Sequence, residues 1–200
     1  MSELDDFSRY ARIIPEEHQP ALRGNLKKIP DFSWLLGKPH RAEERLQGDL
    51  LKGFPTVFLD NNGAPRSEKF TVMILNNSCD LPEGRLDFVT AAPVVDFQEY
   101  LEFEKPKRSP QSLESYARSI RNNDKTELFY LPNFAGFEQG ALVLLHLVCS
   151  VSAKVYREAL RRRQRVASFT QTGFYFLLIK LTTHLARAES AELIRTGPPY

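Results

Sequence analysis

The chain is poor in the features that most readily announce a function. Its 200 residues hold only two cysteines, Cys79 and Cys149, both in apolar, strand-like surroundings. Two such thiols do not make the dense framework of a small secreted domain and read as reduced packing residues. The four histidines, at 18, 40, 146 and 184, share no ligand-like spacing, so no metal centre and no cofactor are expected. Phosphate-binding loops of the GxxxxGK[ST] type, GxGxxG, GxSxG, HExxH and CxxC are all missing. Charge of one sign is also scarce: 27 basic against 25 acidic residues leave a net +2, too little to imply nucleic acid by itself. The longest apolar run, 141–151, is interrupted by His146 and falls well short of the roughly 20 residues of a membrane-spanning helix. The first residues, MSELDDFSRY, are acidic and lack the n- and h-regions of a signal peptide. These absences predict a soluble, cytoplasmic protein with no membrane partner.

What is present predicts an α+β fold: a small antiparallel bent sheet or SH3-like barrel, with an N-terminal arm and a helical C-terminal extension. Residues 1–47 form the arm, broken by Pro15, Pro20, Pro30 and Pro39. Trp34, the one tryptophan, is expected to plug into the body or to dock a protein partner, and 40–47 suits a short helix. Residues 48–200 form a single domain, with barrel strands in 48–104 and helices with added strands in 105–200. Strands are predicted at 50–59, 69–75 and 86–95, with Asn62-Gly63 marking the first hairpin and Pro93 a strand end or edge. A helix follows at 97–103 with Asp96 as cap, and another at 112–122. Further strands are predicted at 128–131 and 141–151. Ser152 caps a basic helix through Arg162, and a last helix at 173–187 carries Phe174, Leu177, Leu178, Leu181 and Leu185 at helical spacing.

Two segments carry candidate chemistry. Asn76-Asn77-Ser78-Cys79-Asp80 ends an apolar strand, where polar groups commonly border a cleft. Asp80 and Cys79 are candidate catalytic groups there, as base and nucleophile, with Arg85 or Lys69 as the cation for a phosphoryl transition state. The same residue types also build strand-to-turn junctions by bonding the local backbone, and that reading stands beside the first. The second segment is basic: Lys154, Arg157, Arg161, Arg162, Arg163 and Arg165 stand against the single acid Glu158. Guanidinium forks suit phosphate oxygens, so RNA or DNA is the candidate ligand, with a solvated helix face as the plainer reading. Tyr156, Phe169, Phe174 and Tyr175 are candidate stacking platforms, although core packing suits most of them better.

Over 48–95, Gly48-Asp49 at a strand start, the turn at Gly63 and the apolar strand Val72-Met-Ile-Leu75 with a polar cluster after it resemble the PemK/MazF family of bacterial toxin–antitoxin proteins. That resemblance implies an SH3-like barrel and metal-independent RNA cleavage. Lys69-Phe70 stands where the family carries Arg-Pro, and Asn76 where it carries a hydroxyl residue, so the barrel is better supported than the activity. Ser78-Cys79-Asp80 after a barrel strand also resembles uncharacterised bacterial proteins. The alternative is a non-enzymatic accessory subunit of a defence or toxin–antitoxin complex. A cysteine-dependent enzyme using Cys79 is a third reading.

Overall fold

The computed structural model describes residues 14–38, 41, 44–59 and 62–185. Asp60 and Asn61 of the expected hairpin turn, His40, residues 186–187 of the expected last helix and the chain's end lie outside them.

The fold is α+β and built on one antiparallel sheet. Strands β2 (Leu50–Leu59) and β3 (Pro65–Ile74) pair as a hairpin, and β4 (Phe88–Asp96) pairs with β3. On the other edge of β4 lie β6 (Ala141–Leu144) and β7 (Cys149–Ser152), with β5 (Leu128–Leu131) outside β6. Strand β8 (Arg165–Phe169) pairs with β2, and β1 (Leu36–Gly37) with β8. The order is β1-β8-β2-β3-β4-β6-β5, with β7 beside β4. Of the two expected forms the sheet is thus the open one, although β7 comes close to β2 without pairing to it. One extra residue on β2 between Leu51 and Phe54 makes a bulge, where Gly53 adopts a φ of 64° that favours glycine.

Pro93 does not end β4. Leu75 N–H donates to the Thr90 carbonyl, so even-numbered residues of β4 face β3 and odd-numbered ones face β6 and β7. Pro93 therefore withholds an amide on the β6–β7 side. The strand expected at 141–151 breaks there: β6 takes Val94–Asp96, β7 takes Phe88–Ala91, and residues 145–148 turn away with His146 exposed.

Side-chain alternation assigns the two faces. Leu50, Met73, Ala92, Val94 and Val143 point to one core, covered by residues of the arm and by helix α5 (Gln171–Leu185). Leu51, Val72, Ile74, Val89 and Ala91 point to another, covered by α4 (Ala153–Arg161). Helices α2 (Phe97–Glu104) and α3 (Pro110–Arg121) cover β5 and β6 through Phe97, Ile120, Leu128, Leu142 and Leu144. As the sequence predicts, Asp96 caps α2, its Oδ1 accepting from Gln98 N (2.8 Å) and Glu99 N (3.1 Å).

The arm is built into the body. Helix α1 (Gln19–Leu26) contributes Leu22, and Ile14, Phe32 and Leu35 are buried beside it. Trp34 is half-buried, its ring 5.9 Å from Phe32 and 5.7 Å from Phe176, with Nε1 donating to Asp31 O. Of the two roles expected for the indole, plugging into the body is the one seen: it packs on the chain's own core. The helix expected at 40–47 does not form in its described residues 44–47. Thr170 joins arm to α5: its Oγ1 donates to Trp34 O (2.7 Å) and accepts from Gly173 N (3.0 Å), capping the helix.

Helix α5 packs on the sheet, but its buried face is not the predicted stripe. Phe176, Leu177 and Ile179 are buried, Phe174, Leu178 and Leu181 are half-buried, and Leu185 is 76% exposed. From Phe174 to Leu181 the helix is apolar nearly all round, because the sheet covers one side and the arm the other. Periodicity alone could not pick the face. Its closest approach is Gly173, where a β-carbon would overlap the carbonyl of Leu35. Gly173→Ala is expected to destabilise the fold by about 1–3 kcal/mol through overpacking, against the usual helix gain of ~1 kcal/mol for that exchange. A urea midpoint at or above the parent's would show that the arm is not seated there.

Candidate nucleic-acid interface

Helix α4 has two sharply different sides. Ala153, Tyr156, Ala159 and Leu160 are buried on the sheet, and the spacing of these residues leaves Lys154 and Arg161 on the outer side, with Arg157 half-buried on the flank. Ser152 caps the helix, accepting from Lys154 N (3.3 Å). At the other end Gln164 N donates to Ala159 O and Arg163 N to Leu160 O, both 3.0 Å, with Arg163 at φ 55°. This is a Schellman ending, in which a left-handed residue turns the chain out of the helix. It leaves Arg162 and Arg163 exposed beside Arg161. Glu158 is shared: Arg161 pairs with it, and Arg162 Nε donates to its Oε1 at 2.7 Å. The Arg162 hydrogen bond, joined by the Arg161 charge, holds the Glu158 carboxyl below its ordinary value. Arg157 stands 3.6 Å from Glu83.

Arg165 does not belong to this row. It opens β8 and turns inward, with its side chain 4% exposed. Its Nε lies 3.2 Å from Asp49 Oδ2, an ion-pair distance. Nη1 donates to Arg41 O (3.1 Å) and Nη2 to Glu44 O. Asp49, fully buried, also accepts from Ser168 Oγ (2.7 Å) and Leu46 N (3.1 Å). The pair fastens Arg41 and residues 44–49 to β8, and no phosphate reaches its guanidinium. Part of the signal was present in the sequence: 165–169 holds Val166, Ala167 and Phe169, and an arginine inside a buried strand needs a carboxylate.

The polar cluster after β3 is a turn. Asn76 Oδ1 accepts from Thr90 N, Asn77 Oδ1 from Cys79 N (3.0 Å), and Ser78 Oγ from Gln47 N (2.9 Å). Asp80 N donates to Asn77 O (3.0 Å), and Arg85 Nη1 to Cys79 O (2.6 Å). Cys79 and Asp80 are exposed. The loop thus brings Asp80, Cys79 and Arg85 together, but Lys69 sits on β3 opposite Pro55, five residues before Ile74. That is roughly 16 Å along a strand, so Lys69 does not join the set. Leu81 packs against Tyr156, Ala159 and Leu160, and this contact with the Glu83–Arg157 pair places the loop beside α4.

Ser78 borders a cleft of about 520 Å³ whose lining includes Gln47, Phe169, Thr170 and Phe174. Its charged lining residue is Glu44, so no positive charge lines the cleft beside the polar cluster among the described residues. No known protein-family model matches the chain, and no curated protein matches it. The site therefore rests on its own geometry.

The aromatic candidates divide plainly. Tyr156, Phe169 and Tyr175 are core residues, Phe169 stacking on Phe129 at 5.9 Å, and Phe174 is half-buried. Of the two thiols, Cys149 is half-buried with its Sγ directed at Ala91 O (3.5 Å), and burial pushes its ionisation up, away from nucleophilic use.

Proposed function

We infer that this protein binds the phosphate backbone of RNA or DNA through the outer face of α4. One observation carries the reading: Lys154, Arg157, Arg161, Arg162 and Arg163 all leave a helix and its closing turn whose opposite face is locked on the sheet. Against five cations stand Glu158 and Glu83, so a positive excess remains after every ion pair seen there is formed. Exposed ion pairs are worth at most about 1 kcal/mol, so phosphates readily compete for these guanidinium groups. Backbone contacts of this kind are indifferent to base sequence. RNA cleavage is not part of the proposal, because Lys69 sits well back along β3 from the loop and the side-chain oxygens of Asn76, Asn77 and Ser78 are spent on the backbone amides of Thr90, Cys79 and Gln47.

The test is the salt dependence of binding to a fluorescent RNA or DNA 20-mer. Affinity is expected to fall steeply with added salt. Arg161→Ala with Arg163→Ala is expected to weaken binding of every sequence alike. It should also flatten the log–log salt slope by about 1.4–1.8, the yield of two lost phosphate contacts. Absence of binding at low salt, or binding that ignores salt, would refute the reading.

A further inference from the structure

The outer edge of β3 has a property that neither the helix nor the polar turn requires. Ile74 N–H donates to Asp49 O and Ile74 O accepts from Gly48 N, so even-numbered residues of β3 turn their backbone groups towards β2. Leu75 N–H bonds Thr90 O on the other side, so odd-numbered residues turn theirs away from β2. Strand β4 uses that outward edge only from Thr71 to Ile74. Residues 65–70 pair with β2 alone among the described residues, and 65–69 are all exposed. The amides and carbonyls of Ser67 and Lys69, and the carbonyl of Pro65, thus line an edge that no described strand takes up.

Charged residues on an edge strand usually prevent pairing with another chain. Here the signs are arranged otherwise. In an antiparallel register centred on Ser67, Ser67 of one copy meets Ser67 of the other, Arg66 meets Glu68, and Lys69 meets Pro65. Each Ser67 amide then donates to the opposing Ser67 carbonyl, and each Lys69 amide to a Pro65 carbonyl, while the Lys69 carbonyl, facing a proline with no N–H, stays open to water. Arg66 and Glu68 fall at the positions between hydrogen-bonded pairs, where cross-strand side chains approach most closely. The two-fold axis creates that opposite-charge pair twice.

We propose that two copies of this protein associate through the outer edge of β3, residues 65–69, joining their sheets in an antiparallel pair centred on Ser67. The contact is short, so the association is weak and concentration-dependent. The occupant is a second copy, because the complementarity is of the strand with itself.

Sedimentation velocity over a concentration series tests it. Ser67→Pro removes the outward amide while leaving the bonds to β2, which use the even-numbered residues; it is expected to abolish dimers with no change in circular dichroism or melting temperature. Glu68→Arg sets two arginine pairs face to face and Arg66→Glu sets two glutamate pairs; each is expected to weaken the dimer about tenfold or more. The double exchange Arg66→Glu with Glu68→Arg restores opposite charges and should restore the parent's dimer. A mixture of the two single variants should also dimerise, since every cross-strand pair between them is complementary. A parent chain that stays monomeric at its highest soluble concentration overturns the proposal. So does a dimer that survives Ser67→Pro, or one whose charge exchange brings no recovery.

Discussion

Asp49→Ala is expected to cost about 3–5 kcal/mol of stability, most of it through a residue left untouched. Asp49 is fully buried and the Arg165 side chain is 4% exposed, so the guanidinium has no route to water when its carboxylate is removed. The carbonyls of Arg41 and Glu44 still accept from it, but dipoles do not neutralise a buried charge. Ser168 Oγ and Leu46 N lose an acceptor in the same step. Replacing both partners, as Asp49→Leu with Arg165→Met, removes the charges together and is expected to cost much less than either single change. Urea unfolding of the three variants closes the cycle. A single Asp49→Ala chain within about 1 kcal/mol of the parent would mean that Arg165 finds solvent by a small movement of 41–49, and that the pair is not structural.

Phe176→Ala is expected to cost a similar ~3–5 kcal/mol. The Phe176 ring is fully buried, with centroids 5.6 Å from Phe32, 5.7 Å from Trp34 and 5.6 Å from Phe129. It therefore touches the arm and the sheet at once, and the cavity left by its loss cannot close without moving one against the other. Because Trp34 is the only tryptophan, its emission reports the change directly and should shift towards that of a wet indole. Leu185→Ala, at the 76% exposed end of the same helix, should alter neither stability nor emission. Equal effects at the two positions would contradict the packing of α5.

Local rules made much of this fold legible. Strand alternation placed β2, β3 and β4, and capping residues placed the starts of α2 and α4, because those signals reside within a few residues of the elements that they set. What escaped depends on distant partners. Strand β8 is absent from the predicted elements, since nothing within five residues of Arg165 shows that Asp49 waits for it. The break between β6 and β7 is written in Pro93, about fifty residues earlier, and becomes readable only when the face of Pro93 is known. The polar turn was legible in both of its senses, and the hydrogen bonds of Asn76, Asn77 and Ser78 decide for the turn. At the interface, five of the six basic residues singled out from sequence are surface residues beside α4; the sixth is the buried one.

The seating of the arm has a consequence for synthesis on the ribosome. Leu22, Phe32 and Leu35 are made long before Phe169, Phe176 and Leu177, with which they share a core. Leu36 and Gly37 must wait for Phe169 and Ser168 to gain a strand partner. A nascent chain halted before residue 165 has its hairpin and β4 but lacks the α5 part of the cover over their Leu50, Met73 and Val94 face. Contacts so distant in sequence form slowly and leave apolar surface uncovered meanwhile. Burial of that face is complete only after α5 has left the exit tunnel, and until then the half-made chain is the species that most needs a chaperone.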